Sequence, residues 1–268
     1  MSDFTFPKEA YLKRINFDGE LSTNFRCLKA IHHAQHTSIP FENFDICLGR
    51  NILLDPESLV QKLVRNKRGG YCLELNGLLL LALKAFGFEA RPLLGRVHIT
   101  GKPTGRSHQV CLVTIEGKRW LLDLGFGAES PPVPIPLVFN EPIIHENHTY
   151  RLIDNEIFGY MLQHKQGEEW RNLYSFDLSF VCPGDIEYGN YYTSTNPNSI
   201  FVSARVAALP VKNGMITLFN NNLKKVIHGK EEVILLKNDQ SYFSMIAQAF
   251  GININAQFED LKPLLKVR

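Results

Sequence analysis

The sequence predicts an α+β chain in three parts: a helical bundle, a run of antiparallel strands, and a smaller mixed segment. Three observations carry this. Apolar residues recur at helical spacing up to Gly87, the period falls to two from Phe88 to about Tyr191, and beyond that strand-like and helix-like stretches alternate. The expected units are therefore 1–87, 88–191 and 192–268. A chain of 268 residues has room for two or three such units.

In the first unit Tyr11, Leu12 and Ile15 recur at helical spacing, and Asn16-Phe17-Asp18-Gly19 stops that segment. Thr23 or Asn24 caps a second helix carrying Leu28, Ile31 and His32, which ends before Pro40 because the residue preceding a proline avoids the α region. Pro56-Glu57-Ser58 opens a third. The fourth, from Cys72 to Phe86, is apolar nearly all round and so belongs at the centre of the bundle, with Gly87 as its stop. In the second unit the segments 93–99, 110–115 and 120–122 read as strands, followed by 148–153 and 157–163. Ser130 to Pro142 holds five prolines and reads as irregular. Short turns and repeated antiparallel strands fit a small barrel or a sandwich. In the third unit 200–206, 214–219 and 232–236 read as strands, and Tyr242 to Phe250 as a helix ended by Gly251.

Hydrophobic content of 44% and charged content of 21% are ordinary globular values. A formal charge of +2 gives no bias toward nucleic acid or an anionic membrane, and no apolar run reaches spanning length. The first residues lack the basic-then-apolar layout of a signal peptide. The five cysteines (27, 47, 72, 111 and 182) are widely spaced with no C-x-x-C. That pattern fits reduced thiols and a cytoplasmic setting rather than a disulfide framework or a zinc site. His32 and His36 share a helix face, but no carboxylate or cysteine nearby completes a metal site, so no metal is expected.

The chemistry centres on Arg68-Gly69-Gly70-Tyr71-Cys72-Leu73-Glu74-Leu75-Asn76. Gly69 and Gly70 allow positive φ and close approach of other groups. Cys72 then falls in the first turn of the apolar helix, where free N–H groups and the helix dipole favour a thiolate. A second inference comes from the hairpin of 107–115 and 118–124. With Glu116-Gly117 as a two-residue turn, paired residues sum to 233, and His108 and Asp123 become diagonal cross-strand neighbours. A carboxylate there orients the imidazole, and the imidazole takes a proton from a thiol. Cysteine, histidine and aspartate on separate elements make an activated nucleophile. Glu42, Asn43, Glu74 and Asn76 read as buried groups bracing the site. Arg65, Lys67 and Arg68 read as a solvated basic run, or Arg68 as an interface residue paired to a carboxylate.

These residues resemble a known family. The nonapeptide is similar to the active-cysteine motif of the arylamine N-acetyltransferases. The likeness extends to Tyr11–Ile15, Ile39-Pro40-Phe41-Glu42-Asn43, His108 within a strand, and Asp123-Leu124-Gly125-Phe126-Gly127. Order and spacing agree along most of the chain and weaken beyond about residue 190. The resemblance implies a helical bundle, a β-barrel and an α/β lid around a cysteine-protease-like Cys-His-Asp core. It implies acetyl transfer from acetyl-CoA, through an acetyl-cysteine, to an aromatic amine or hydrazine. Cys72 falls on the nucleophile, His108 on the base and Asp123 on the orienting acid. Val97 and Phe126 fall at acceptor positions, and Thr104, Ser107, Gly125 and Gly127 where coenzyme A is met. The chain lacks the insertion of vertebrate members and looks bacterial in type. An amide synthase, a hydrolase or transglutaminase-like enzyme on the same triad, and a non-catalytic binding module are the alternatives. Oligomeric state, acceptor and acyl-chain preference are not readable.

Overall fold

The computed structural model describes residues 4–264. Helix α1 (Lys8–Arg14) precedes α2 (Phe25–Ser38), whose cap is Asn24: its side chain accepts from the Cys27 N–H at 2.9 Å. Strand β1 (Phe41–Glu42) and α3 (Phe44–Cys47) follow, and then α4 (Pro56–Leu59), capped by Asp55 and extended by a π-helical turn over Val60–Arg65. Helix α5 (Cys72–Ala85) is the expected centre. Leu73, Leu75, Leu78, Leu79, Ala82 and Leu83 are all essentially sealed from solvent. Gly87, at φ +92°, turns the chain away from the helix.

The next strands are β2 (Glu89–Val97), β3 (His108–Ile115), β4 (Lys118–Leu122), β5 (Ile135–Pro136), β6 (Ile143–His145), β7 (His148–Asn155), β8 (Gly159–Gln166) and β9 (Glu169–Phe176). They form one antiparallel sheet in the order β5-β4-β3-β2-β9-β8-β7-β6. Past β5 the chain bridges at Phe139 to Leu152, and the Asn140 N–H donates to the Leu152 carbonyl at 2.7 Å. This brings the two ends of the sheet together in a near-closed barrel. Both faces of β3 are buried: Val110 and Leu112 point into the barrel, while Cys111 and Val113 join the helical core around α5. The barrel is thereby fixed to the helix that carries Cys72.

Helices α6 (Pro183–Thr195) and α7 (Ile200–Ser203) lead into β10 (Val206–Val211), β11 (Gly214–Phe219), β12 (Asn222–Ile227), β13 (Lys230–Leu235) and α8 (Ser241–Phe250). The second sheet runs β1-β10-β11-β12-β13, so an N-terminal strand pairs with the C-terminal segment through Phe41↔Ala208. Its core joins Phe44 to Leu218, Leu223, Tyr242, Phe243 and Ile246.

Four local expectations change. Residues 200–203 are helical, and the strand begins only at Val206; Ser199 caps that turn. Residues 183–195 are helical although the period-two reading ran to Tyr191. Only Gly189 and Thr193 of α6 are buried, so the helix has no apolar stripe to announce it, and Pro183 with the Asp185 carboxylate starts it. Strands β1, β6, β9 and β12 lie outside the segments that read as strands, and the short β5 forms within the proline-rich stretch that reads as irregular. Gly69 and Gly70 are not in the left-handed region. Gly69 serves close approach instead, because a Cβ there would collide with the Pro40 carbonyl oxygen.

Candidate active site

The loop before α5 is held by a buried charge network. Arg68 donates through Nε and Nη2 to Glu42 Oε1 at 3.0 and 2.7 Å and through Nη1 to Asp45 at 3.2 Å. Lys62 spans Asp45 and Glu74 at 2.6 and 2.7 Å. The backbone adds Glu42 N–H to the Gly70 carbonyl, and Glu74 Oε2 accepts from the Tyr71 N–H at 3.1 Å. Burying several charges is tolerable only because each is paired and hydrogen-bonded. Here that network holds the first turn of α5, and hence Cys72, in one place. Arg68 is thus a paired interior residue and not part of a solvated run.

Cys72 is the first residue of α5, 4% exposed, with Sγ 3.9 Å from the Ser107 carbonyl oxygen. The β3–β4 hairpin has the expected register, Cys111↔Leu122 through Ile115↔Lys118. Glu116 and Gly117 both have positive φ, at +49° and +75°, as a type I′ turn requires. The chain leaves the sheet at Asp123, and His108 Nε2 lies 2.8 Å from Asp123 Oδ2. That contact leaves Nδ1 for the thiol. Asp123 Oδ1 accepts from Asn76 Nδ2 at 3.0 Å and from the Gly125 N–H at 2.8 Å, and Asn76 Oδ1 accepts from the Leu124 N–H at 2.9 Å. Asn76 sits one turn beyond Cys72 on the same helix, so a single element aligns thiol and carboxylate.

The electrostatics follow from this geometry. Burial alone disfavours an imidazolium, but the charge and hydrogen bond of Asp123, with Cys72 adding to them, push His108 up to about 10. Burial raises the Asp123 carboxyl, yet His108, Asn76 and the Gly125 N–H outweigh it and hold the group below the usual carboxylate range.

Gly125 lies against Cys72: an added Cβ would come within 2.8 Å of Cys72 Cβ and 2.9 Å of Asn76 Nδ2. Phe126 packs edge-on against His108, with ring centroids 5.0 Å apart. Tyr174 completes an aromatic trio, 4.7 Å from His108 and 5.0 Å from Phe126. Tyr174 is the residue the sequence reading lacks, with its strand β9: Leu173, Tyr174, Ser175 and Phe176 are all buried, so no alternation marks that end of the strand. Val97 is paired with Tyr174 across β2 and β9, at the barrel mouth. Thr104 lies on the exposed β2–β3 loop, where its hydroxyl accepts from the Val97 N–H at 2.9 Å and donates to the Gly105 carbonyl at 2.8 Å. None of its hydrogen bonds goes to the triad. Gly127, at φ +66°, begins a 3-10 turn away from the site. Cys72, Ser107, His108, Asp123, Gly125 and Phe126 are therefore brought together, with Val97 at the rim and Thr104 and Gly127 further along the two loops.

A thiol at a helix start, an imidazole beside it and a carboxylate behind the imidazole define a cysteine-nucleophile site of the acyl-transfer kind. The N-acetyltransferase family model matches residues 24–258. The arylamine N-acetyltransferase of Escherichia coli (strain K12) is 33% identical over 249 residues, covering 91% of this chain and 88% of that protein. The structure of the arylamine N-acetyltransferase from Salmonella typhimurium superposes with a TM-score of 0.89 at 32% identity, over 94% of this chain and 93% of that one. The Mycobacterium marinum arylamine N-acetyltransferase in complex with CoA gives 0.87 at 33% identity, over 94% and 96%. This chain belongs to the arylamine N-acetyltransferase family.

Proposed function

We propose that this protein is an acetyl-CoA-dependent arylamine N-acetyltransferase in which Cys72 carries the acetyl group between donor and acceptor. The observation that supports it most is the series formed by Cys72, His108 and Asp123 around the 2.8 Å His108–Asp123 contact. The Cys72 thiolate attacks the acetyl carbonyl of acetyl-CoA. A carbon–sulfur bond forms, the bond to the coenzyme sulfur breaks, and coenzyme A leaves as a thiol with the proton that His108 holds. An aromatic amine or hydrazine then attacks the acetyl-cysteine and gives its proton to His108 as Cys72 departs, restoring the starting pair. Asp123 keeps the imidazole in the orientation that serves both halves.

Val97 and Phe126 are assigned to the acceptor, which packs flat against the aromatic trio. Ser107, Gly125 and, further out, Gly127 and Thr104 are assigned to the coenzyme, whose thioester must reach Cys72. The units 1–87, 88–191 and 192–268 remain our division of the chain. The CoA complex of the M. marinum relative supports the donor. Among the described residues no helix is long and apolar enough to cross a membrane. Intact-mass measurement after mixing with acetyl-CoA tests the reading. One acetyl group on Cys72, absent from Cys72→Ser and discharged by an added arylamine, is expected; an unmodified Cys72 with the donor consumed would refute it.

A further inference from the structure

The C-terminal sheet ends in an open strand. Of the four strands that end a sheet, β1 and β5 have two residues each, β6 has three and β13 has six. Strand β1 is covered by its bridge to Gly70, and the ends of the barrel come together at Phe139 and Leu152. Strand β13 has β12 on one side and, among the described residues, no strand on the other. Five of its six residues are exposed, with Val233 at 56% and Leu235 at 74%.

The outward row of backbone groups follows from the hairpin. The turn residues His228 and Gly229 both have positive φ, and the turn closes on the pair Ile227↔Lys230. Hydrogen-bonded and non-hydrogen-bonded pairs alternate along an antiparallel ladder. At the far end the Leu236 N–H donates to the Asn221 carbonyl at 2.8 Å, so Lys230, Glu232 and Ile234 bond to β12. Glu231, Val233 and Leu235 therefore turn their N–H and C=O groups away from the sheet. Their side chains share its solvent face, where Leu235 stands in a row with Asn222 and the 46% exposed Phe219, while Ile234 packs on the core behind. Edge strands are ordinarily guarded by proline, a bulge or unpaired charge. The β12–β13 ladder has no bulge and β13 no proline. Its two carboxylates are drawn back onto β12, Glu231 to Lys224 at 2.6 Å and Glu232 to Lys225 at 3.8 Å.

We propose that β13 is an interface for a second copy of this chain, the two β13 strands pairing antiparallel about a two-fold axis so that two five-stranded sheets become one. Only registers that set outward residues opposite outward residues form the ladder. With Val233 opposite its own copy, Glu231 faces Leu235 and Glu232 faces Ile234. No like charges then meet, and two valines and two leucines form one apolar block. A shift of two residues one way sets Glu232 against Glu232, and the opposite shift carries Glu231 to Lys237, beyond the end of the strand. A two-fold contact uses the same edge of both copies, so the assembly closes at two. The interface lies at the small end of specific contacts, below about 1,200 Å², so dimer and monomer exchange. Cys72 and its partners take no part in it, and the inference is independent of the acetyl-transfer reading.

Sedimentation velocity of the full chain from about 5 µM to about 500 µM tests it. The mass should rise from 30.5 kDa toward twice that value. Val233→Lys sets two ammonium groups against each other on the axis and should raise the dissociation constant at least about tenfold, with acetylation of Cys72 unchanged. Val233→Pro removes an outward N–H without removing a bond to β12 and should do the same. Hydrogen exchange on the wild-type protein needs no variant. The amides of Glu231, Val233 and Leu235 should be protected at high concentration and exchange freely on dilution, while those of Glu232 and Ile234 stay protected throughout. A monomer at every concentration overturns the proposal. So does a dimer that survives both substitutions, or one whose outward amides exchange freely, because its interface then lies elsewhere. Protection of those amides that dilution does not change means that another segment of the same chain covers the edge, and refutes it equally.

Discussion

Lowering the pH from 6.5 to 5 should destabilise the fold through His32 and His36, two histidines of α2 that lie behind Asp123. They are 0% and 6% exposed. For His32, burial and then the neighbouring His36 hold the imidazole down to about 3 against the pull of Asp123. For His36, burial holds it at about 4, again against Asp123. The unfolded chain binds protons at both sites near pH 6.5, while the folded chain refuses them. The stability they contribute is therefore complete above about 6.5 and is lost as the pH falls toward the folded values. At pH 5 each costs about 2 kcal/mol, or about 4 together, from roughly 1.4 kcal/mol per pH unit. That is a large part of a typical folding free energy of about 5–15 kcal/mol. Buried Glu74 acts in the opposite direction, because burial raises its carboxyl and its protonation as the pH falls relieves that cost; the remaining shifted groups contribute less to this window. His108, pushed up to about 10, contributes stability that is complete below 6.5 and is lost only as the pH rises. Asp45 and Asp123, held low, contribute until the pH drops below about 4. Part-buried His148 and His98 are also lowered, chiefly by burial, and add smaller amounts in the same direction. Urea unfolding at half-unit steps should show the midpoint falling by roughly 1 M between pH 6.5 and 5. His32→Leu/His36→Leu should remove most of that slope. A variant with the wild-type slope would refute the assignment.

Three further outcomes follow from the site. Asp123→Asn should slow acetylation of Cys72 by about 10³–10⁴, because donors from Asn76 and Gly125 face Oδ1, so the new amide turns its NH₂ toward His108 Nε2 and selects the wrong tautomer; a normal burst of coenzyme A release would contradict this. Gly125→Ala should cost about 1–3 kcal/mol and displace Cys72, since the new methyl meets Cys72 Cβ and Asn76 at under 3 Å; wild-type melting and acetylation together would sink the argument. Phe126→Ala opens the aromatic trio to water. It should raise KM for arylamines and speed hydrolysis of the acetyl-enzyme, while acetylation by the donor changes less. Coenzyme A release measured with and without acceptor separates the two halves, and slower acetylation with unaltered acceptor kinetics would place Phe126 on the coenzyme side.

What was legible in the sequence was what one element decides for itself. The β3–β4 register could be counted from Glu116-Gly117 because a two-residue turn leaves the pairing no freedom, and it predicted the neighbours His108 and Asp123 without any tertiary information. The burial of α5 could be read because an apolar surface all round leaves a helix no solvent face. Illegible features depended on a contact made elsewhere. For Gly69 the sequence allows both positive φ and close approach, and only the carbonyl delivered by Pro40 decides that close approach is the reason for it. Tyr174 reaches His108 only because β9 closes beside β2, and no period or spacing encodes such a meeting. His32 and His36 belong to both classes: their i, i+4 spacing placed them on one face, and only packing revealed that the face is dry. A dry, neutral histidine pair under Asp123 leaves His108 and the charged groups around Arg68 as the main charges in that interior, which is why the imidazolium beside Cys72 can depend so heavily on a single carboxylate.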